Sequence, residues 1–400
     1  MLYRKIPKSG DKLSILGFGC MRLPLFEDGS INTERAIRQI RVAIDAGVNY
    51  LDTAWPYHTG ESEKLVGLAL AEGYREKVRI ATKLPSWMIN CREDMDFYLN
   101  AQLEKLAVSQ VDYYLVHALN GTNWQKLQDL GVTEFLNTAL ADGRIKNTGF
   151  SFHGELSDFR TIVDSYSWDM CQIQYNYLDQ EYQAGTEGLK YAAEKKLGIV
   201  IMEPLRGGNL SIPEPPPAIA EIWQQAEIKR TPVEWALRWL WNHPEVTVIL
   251  SGMNDEAHIE ENLAIADTAE IDSLTEKEYE IVDQAARKYN ELMKVGCTGC
   301  GYCLPCPSGV KIPMVFEVYN KMHLFGNEME GKLMYVIRLS GSISGDGAGY
   351  ASQCTECGEC LEKCPQNIEI PTMLTEITAE MEDDKMAERQ AFGRKILAME

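Results

Sequence analysis

Short apolar runs alternate with longer segments of helical periodicity through the first 252 residues of the chain. The runs are rich in β-branched and aromatic residues, as buried strands are. Eight runs are found, and with their first residues they are "SILGFG" (Ser14), "NYLDTA" (Asn49), "VRIATKL" (Val78), "DYYLVH" (Asp112), "IKNTGFS" (Ile145), "CQIQYN" (Cys171), "GIVIMEPL" (Gly198) and "VTVILSG" (Val246). Segments such as "TERAIRQIRVAIDAG" lie between them and repeat their apolar positions every three or four residues. Eight alternating units predict an α/β fold, a (β/α)8 TIM barrel.

Two segments after the seventh run depart from this alternation. The stretch "IPEPPPAI", residues 212–219, contains three consecutive prolines and predicts an extended surface loop. Further on, "SLTEKEYEIVDQAARKYNELM" predicts a helix that starts near Ser273 or Thr275. We therefore expect the barrel at residues 1–290 and a second domain at residues 291–400, which ends in amphipathic helices after Pro371.

The composition narrows the classes of partner. The formal net charge is −20, whereas nucleic acids and anionic membranes bind basic surfaces, so neither is expected as a partner. No apolar run approaches the roughly 18 residues of a membrane span, and "MLYRKIPKSGDK" lacks the apolar middle of a secretory signal. We expect a cytoplasmic protein, and the sequence leaves its oligomeric state open.

Four polar residues lie at or just beyond the carboxyl ends of three successive predicted strands. Asp52 ends the second strand, Tyr57 follows in its loop, Lys83 ends the third and His117 ends the fourth. Each alone has an ordinary structural explanation, such as a capping carboxylate or a buried histidine. Because barrel enzymes carry their chemistry at this rim, the four together predict a catalytic site.

These four side chains suit proton delivery to a carbonyl oxygen. A free tyrosine has a pKa near 10, and a neighbouring ammonium is expected to lower it. A buried Lys83 needs a counter-charge, which Asp52 would provide. A neutral His117 would hydrogen-bond the substrate oxygen and fix its position.

The segments "LDTAWPYHTGESEKLVGLAL" and "LVHAL" resemble the signatures of the aldo/keto reductase superfamily, and the resemblance covers roughly residues 1 to 270. It implies that Tyr57 is the general acid, that Lys83 and Asp52 tune its pKa, and that His117 orients the substrate. It also implies a small-molecule carbonyl/alcohol pair as substrate, and NADP or NAD as the cofactor.

The same resemblance places seven residues at the nucleotide. They are Ser151, Gln172, Leu205, Gly207, Gly252, Glu261 and Asn262. Gly252 and His258 replace the lysine and arginine with which many members hold the 2′-phosphate. Because a phosphate dianion without cationic partners binds weakly, NADPH is expected to gain little over NADH.

Eight of the eleven cysteines form two runs near the end of the chain. The runs are Cys297-x2-Cys300-x2-Cys303-x2-Cys306-Pro307 and Cys354-x2-Cys357-x2-Cys360-x3-Cys364-Pro365. The second has the spacing of bacterial ferredoxins, and the first is one residue shorter before its last cysteine. The runs predict a ferredoxin-like domain with two 4Fe–4S clusters. Zinc is the alternative, since paired CxxC motifs also form all-thiolate zinc sites.

In two-cluster ferredoxins, the fourth cysteine of each run ligates the cluster of the other run. We therefore expect one cluster on Cys297, Cys300, Cys303 and Cys364. The other is expected on Cys354, Cys357, Cys360 and Cys306. The C-terminal part also resembles the iron–sulfur tail of a bacterial and archaeal subgroup of aldo/keto reductases.

Three interpretations of the whole chain remain open. In the favoured one, an oxidoreductase exchanges electrons through its clusters with ferredoxin or another carrier. In the second, the clusters are structural and the barrel is an ordinary nicotinamide-dependent reductase. In the third, the chain is an electron-transfer or sensing protein without turnover. FMN remains open as a cofactor that could convert a two-electron hydride into single electrons.

Overall fold

The structure, a computed structural model, describes residues 1–341 and 347–397. Its strands are β1 (Tyr3–Lys5), β2 (Lys12–Ser14), β3 (Leu16–Gly19), β4 (Tyr50–Asp52), β5 (Arg79–Leu84), β6 (Val111–Leu119), β7 (Ile145–Phe152), β8 (Met170–Gln174), β9 (Gly198–Met202) and β10 (Val248–Ser251). Each of the eight predicted runs overlaps one of the strands β3 to β10.

The helices follow the strands along the chain. They are α1 (Thr33–Asp45), α2 (Ser62–Ala69), α3 (Arg92–Leu106), α4 (Gly121–Asp129), α5 (Val132–Ala141), α6 (Leu156–Ser165), α7 (Gly185–Glu194), α8 (Pro217–Trp223), α9 (Pro232–Trp241), α10 (Glu256–Ala266), α11 (Glu276–Leu292), α12 (Ile312–Phe325), α13 (Glu328–Leu339), α14 (Ile370–Met381) and α15 (Met386–Leu397). Within the two described ranges, no helix is both long and apolar enough to cross a membrane.

Strands β3 to β10 close into a parallel barrel, which confirms the predicted fold. Their order around the barrel is β10-β3-β4-β5-β6-β7-β8-β9. Inside it, a core cluster includes Tyr50, Tyr113, Met170 and Val248, all of them fully buried. Because every neighbouring pair of strands is parallel, their carboxyl ends meet at one rim.

Contacts between residues divide the chain into two compact units. The first comprises Met1–Leu205 and Val233–Glu276, and the second comprises Arg206–Pro232 and Lys277–Glu400. The second unit is therefore discontinuous, because it takes in the segment that follows β9. This division by contacts differs from the boundary expected at residue 290, which remains a prediction about the domains.

The second unit has its own apolar core. The largest side chains of this core include Phe316 and Tyr319 of α12 and Tyr335 of α13. Six cysteines pack against it, namely Cys297, Cys303, Cys306, Cys354, Cys360 and Cys364. These six cysteines are partly exposed, so the apolar core covers one side of the thiols.

The proline-rich segment is only partly the expected loop. Pro216 has extended backbone angles (φ −49°, ψ 141°), but Pro217 is the first residue of α8. The expectation of a loop through Ile219 is wrong for its last three residues. A proline fits the first helical position because its missing N–H would find no helical partner there.

Candidate functional site

The barrel rim brings the four predicted catalytic residues together. Asp52 is the last residue of β4, Lys83 lies in β5 and His117 lies in β6. Tyr57 starts a short 3-10 turn after β4. None of the four side chains belongs to a residue more than 8% exposed.

Lys83 connects the charged and phenolic members of this group. Its Nζ donates hydrogen bonds to Asp52 Oδ1 at 2.6 Å and to the Thr53 carbonyl oxygen at 2.8 Å. A third contact, at 3.3 Å, runs from the same nitrogen to the Tyr57 hydroxyl. The ammonium thus has three oxygen partners, and one of them is the phenol expected to donate the proton.

Burial dominates the acidity of the phenol. Burial raises the pKa of Tyr57 well above its ordinary value, and the charges of Asp52, Cys20 and Glu203 raise it further. This net direction is opposite to the one expected from the Lys83 ammonium alone. The Tyr57 hydroxyl is therefore protonated at neutral pH, as a proton donor must be.

His117 is held neutral in the same site. Burial lowers its pKa well below the ordinary value, and the charges of Lys83 and His153 lower it further. Its ring lies edge-on to that of Tyr57, with the ring centroids 6.1 Å apart. Its Nδ1 is buried without a hydrogen-bond partner in the described structure. A neutral imidazole with a spare ring nitrogen can hydrogen-bond a substrate oxygen.

The residues predicted at the nicotinamide lie side by side. Ser151 of β7 and Gln172 of β8 are direct partners in the strand register. The Ser151 hydroxyl oxygen accepts a hydrogen bond from the Ala118 amide at 2.8 Å. Among the described residues, Gln172 Oε1 and Asp52 Oδ2 are buried acceptors without a hydrogen-bond partner. Burial raises the pKa of Asp52, and Lys83 and Gln172 oppose that increase. These acceptors fit the N–H donors of a nicotinamide carboxamide.

The residues predicted at the rest of the nucleotide are divided between the units. Leu205 is the last residue of the first segment of the first unit, and Gly207 belongs to the second unit. Glu261 and Asn262 lie on α10. The Asn262 amide donates to the Ser251 hydroxyl at 2.9 Å, so it is fixed against the end of β10.

Acidic side chains gather at the start of α10. Asp255 caps the helix, and its side chain accepts a hydrogen bond from the Ala257 amide. The Arg35 guanidinium pairs with both Asp255 and Glu256. In a segment where many family members hold a phosphate with cations, this guanidinium is already engaged by carboxylates.

Two residues near the four predicted catalytic residues, Asp52, Tyr57, Lys83 and His117 (the tetrad), were not predicted from the sequence. Trp87 is 44% exposed, and its ring centroid lies 5.1 Å from that of His117. Cys20 is fully buried, and its amide donates to the Asp52 carbonyl oxygen at 2.8 Å. Both follow a barrel strand at its carboxyl end, which is the signal that could have identified them.

The first group of cysteines gathers around Cys303. Burial raises the pKa of the Cys303 thiol to about 12, and the charges of Cys300, Cys297 and Cys364 add to the increase. Three of these residues come from the first run and Cys364 comes from the second. The crossed ligation expected from the ferredoxin pattern stays a prediction.

The second group gathers around Cys360. Its pKa is raised by burial and by the charges of Cys354, Cys357 and Cys306. All four of these cysteines line one open surface pocket, and Cys303 of the first group lines it as well. Four thiols are the number that the all-thiolate ligation of a 4Fe–4S cluster needs. Within the described ranges, no three cysteine, histidine or acidic side chains are placed to hold a metal ion.

The two runs share a local backbone feature. In each run, the amide two residues after the first cysteine donates to that cysteine's sulfur at 3.4 Å, from Gly299 to Cys297 and from Glu356 to Cys354. Both donor residues have positive φ angles, 67° and 54°. The chain therefore curls around the sulfur in both runs, as expected of a loop that wraps a cluster.

Residues 15–287 match the model described as "Aldo/keto reductase family". This match spans more than half of the chain. The chain belongs to the aldo/keto reductase family. Residues 296–369 match a second model, described as "4Fe-4S dicluster domain". This aldo/keto reductase is thus an oxidoreductase with a C-terminal domain for two 4Fe–4S clusters, and the second match favours clusters over zinc.

Curated relatives agree with the family over most of the barrel. A probable aldo-keto reductase 1 of Glycine max is 25% identical over 299 residues, covering 65% of this chain and 82% of its own. The NADH-specific methylglyoxal reductase of Escherichia coli is 24% identical over 283 residues, covering 59% of this chain and 84% of its own.

Solved structures share the fold of this reductase. An aldo-keto reductase of Bacillus halodurans in its holo form has a TM-score of 0.59 and 22% identity, covering 71% of this chain and 96% of its own. An aldo-keto reductase from Klebsiella pneumoniae in complex with NADPH has a TM-score of 0.58 and 21% identity, covering 71% of this chain and 95% of its own.

Proposed function

We propose that this aldo/keto reductase interconverts a small carbonyl compound and its alcohol, with Tyr57 as the general acid and base. The observation that carries the proposal is the contact chain from Asp52 through Lys83 to the Tyr57 hydroxyl, beside a neutral His117. It unites a protonated donor, a fixed positive charge and a neutral hydrogen-bonding group in one buried site.

The four residues divide the work of reduction. Bound NADH or NADPH would supply the hydride to the carbonyl carbon. His117 holds the carbonyl oxygen by a hydrogen bond, and Tyr57 transfers its proton to that oxygen, so that carbonyl, hydride and proton give the alcohol. Lys83 stabilises the phenolate left on Tyr57, and Asp52 holds the lysine in place through their hydrogen bond.

The start of α10 favours NADH as the nucleotide. A 2′-phosphate there would meet Asp255 and Glu256, whereas a ribose 2′-hydroxyl could donate a hydrogen bond to a carboxylate. Gly252 and His258 supply no permanent cation for the phosphate. The name of the E. coli relative, an NADH-specific methylglyoxal reductase, agrees with this choice and suggests short aldehydes as probes.

The iron–sulfur domain is proposed to exchange electrons with ferredoxin or another one-electron carrier, in the cytoplasm. Eight cysteines in two runs, six of them packed against an apolar core, support ligation of two clusters, which together would hold as many electrons as one hydride carries. FMN gains no support from the relatives described above. The alternative function, with structural clusters, differs in one measurable respect: its clusters stay in one oxidation state during turnover.

An anaerobic spectrum during turnover tests the proposal. Protein purified without oxygen is mixed with NADH and a panel of small aldehydes that includes methylglyoxal, while nucleotide absorbance and cluster spectra are recorded together. We expect aldehyde-dependent NADH oxidation. With reduced ferredoxin and NAD+ in place of NADH, we expect the clusters to pass on two electrons, which with one proton convert NAD+ to NADH. Aldehyde reduction with unchanging clusters would support the structural alternative, and NADH that is never oxidised would contradict the proposed carbonyl chemistry.

A further inference from the structure

The segment that follows β9 lies against the first cysteine run. Arg206–Gly208 form a short 3-10 turn, and Gly207 within it has a φ of 67°. A Cβ atom added to Gly207 would lie 1.9 Å from the carbonyl oxygen of Thr298 and 2.6 Å from its carbonyl carbon. Thr298 sits between the first two cysteines of the run. No side chain other than glycine's hydrogen fits this approach without displacing the cysteine loop.

Asn209 adds a polar contact to the same loop. Its Nδ2 donates to the Cys297 carbonyl oxygen at 3.3 Å and to the Arg206 carbonyl oxygen at 2.9 Å. The asparagine thus links the turn to the first predicted ligand of the run, 88 residues further along the chain. Arg206 Nη1 contacts Met293 Sδ at 3.4 Å, which ties the turn to the segment just before the run.

The first run carries no charged side chain of its own with which to anchor its loop. From Val295 to Val310 the sequence contains no charged residue, so no ion pair can hold this loop. Thr298 is only 2% exposed, which shows how closely its surroundings pack on it. A shift of the Thr298 backbone would carry the thiols of Cys297 and Cys300 with it. Groups that orient ligands from behind are commonly needed for full metal affinity.

We propose that Gly207 and Asn209 are positioning residues of the first cluster site, on Cys297, Cys300, Cys303 and Cys364. Gly207 allows the close approach of the turn to Thr298, and Asn209 fixes the carbonyl of Cys297. The site therefore includes a part of the chain that lies far before the cysteine runs. This inference rests on the ligand assignments made above.

A pair of glycine variants tests the inference. Gly207→Ala places a methyl group against Thr298, whereas Gly208→Ala, next to it and also at positive φ (101°), meets only Ser211 Oγ at 3.7 Å. Both variants carry the backbone strain of an alanine at positive φ. Iron, sulfide and spin-resonance spectra are measured on anaerobically purified full-length protein. We expect Gly207→Ala to lose about half of the iron and one spectroscopic signal, and Gly208→Ala to retain both.

Asn209→Ala covers the case in which Gly207→Ala does not fold. Loss of its hydrogen bond to Cys297 is expected to shift the reduction potential of one cluster and leave the other unchanged, which a merely structural role would not do. Full iron in Gly207→Ala with weakened nucleotide binding would assign Gly207 to the nucleotide alone and overturn the inference. Unchanged potentials in Asn209→Ala would also overturn it. Wild-type protein without iron would instead refute the ligand assignments.

Discussion

At the scale of single residues, burial decides the protonation states of the active site. Tyr57 and His117 are both drawn toward their neutral forms because a charged form would lose its hydration. Burial also raises the pKa of Asp52, but Lys83, paired with it at 2.6 Å, opposes that increase. The site therefore presents one neutral acid and one neutral hydrogen-bonding ring beside a compensated charge.

Tyr57→Phe should reduce kcat/KM for aldehyde reduction by about 100-fold or more, because the general acid is removed. Nucleotide affinity should stay nearly constant, since the ring itself is retained. Steady-state kinetics and nucleotide fluorescence titration measure the two quantities. Tyr74→Phe is the matched control, because the Tyr74 hydroxyl donates to Asp45 at an exposed position away from the site. Normal turnover of Tyr57→Phe would remove Tyr57 from the mechanism.

The two directions of the reaction should respond differently to pH. Reduction needs the protonated phenol, which persists up to the raised pKa of Tyr57, so its rate should be nearly flat from about pH 6 to 9. Oxidation needs the phenolate, so its rate should rise about tenfold per pH unit over this range. The lowered pKa of His117 implies no inflection near pH 6.5. A reduction rate that falls above pH 7 would show that the phenol ionises earlier.

The tetrad could be predicted from the sequence because Asp52, Lys83 and His117 each end an obvious strand. Trp87 and Cys20 occupy equivalent places, but a tryptophan or cysteine is also common in cores and gave no separate signal. The direction of the Tyr57 pKa could not be predicted, since it depends on the depth of burial. Sequence shows which charges are available, whereas packing decides how much water remains around them.

At the scale of elements, the start of α10 keeps the position that the barrel fold gives this helix, but it carries carboxylates where a phosphate-binding segment carries cations. Asp255 caps the helix, and Arg35 pairs with the carboxylates of both Asp255 and Glu256, so its one positive charge is already outnumbered without a phosphate. Helix amides alone attract anions, but a capping carboxylate already uses one of them. The nucleotide preference should therefore respond to one added cation.

His258→Arg should strengthen NADPH binding on the order of tenfold and leave NADH binding unchanged, because one charged hydrogen bond to the 2′-phosphate is gained. His258→Gln is the neutral control at the same exposed position. Fluorescence titration with both nucleotides measures the effect. A wild-type preference for NADPH above about 100-fold, roughly 2.7 kcal/mol, would contradict the proposal and direct attention to Arg22, whose side chain lies beside Gly252.

At the scale of the whole molecule, the sequence predicted the barrel and the iron–sulfur domain but not which segments of the chain belong to each unit. The periodicity of strands and the spacing of cysteines are local patterns, and both could be recognised in the sequence. The inclusion of Arg206–Pro232 in the second unit is a long-range contact, for which the sequence carries no periodic signal. The proline at the start of α8 was misjudged for a related reason, because its role depends on the helical residues after it.

The crossed ligation of the clusters can be tested by combining variants. Cys300→Ser with Cys364→Ser should lose no more iron than either change alone, about four atoms, because both ligate one cluster. Cys300→Ser with Cys306→Ser should lose about eight, because the two residues belong to different clusters. Iron analysis of anaerobically purified protein decides the matter. The reverse pattern would show that each run ligates its own cluster.

The discontinuity of the second unit also sets an order of events during synthesis. Residues 206–232 leave the ribosome well before the last cysteine, a delay on the order of ten seconds at about 5–20 residues per second. Three residues of α8, namely Ile219, Ile222 and Trp223, are buried in the finished protein. Through this interval they lack the second segment of their unit, Lys277–Glu400. A nascent barrel therefore carries an unfinished apolar segment until the cysteine runs arrive. Iron starvation would prolong that state. We therefore expect a larger fraction of this protein to be bound by chaperones or degraded by proteases when iron is scarce.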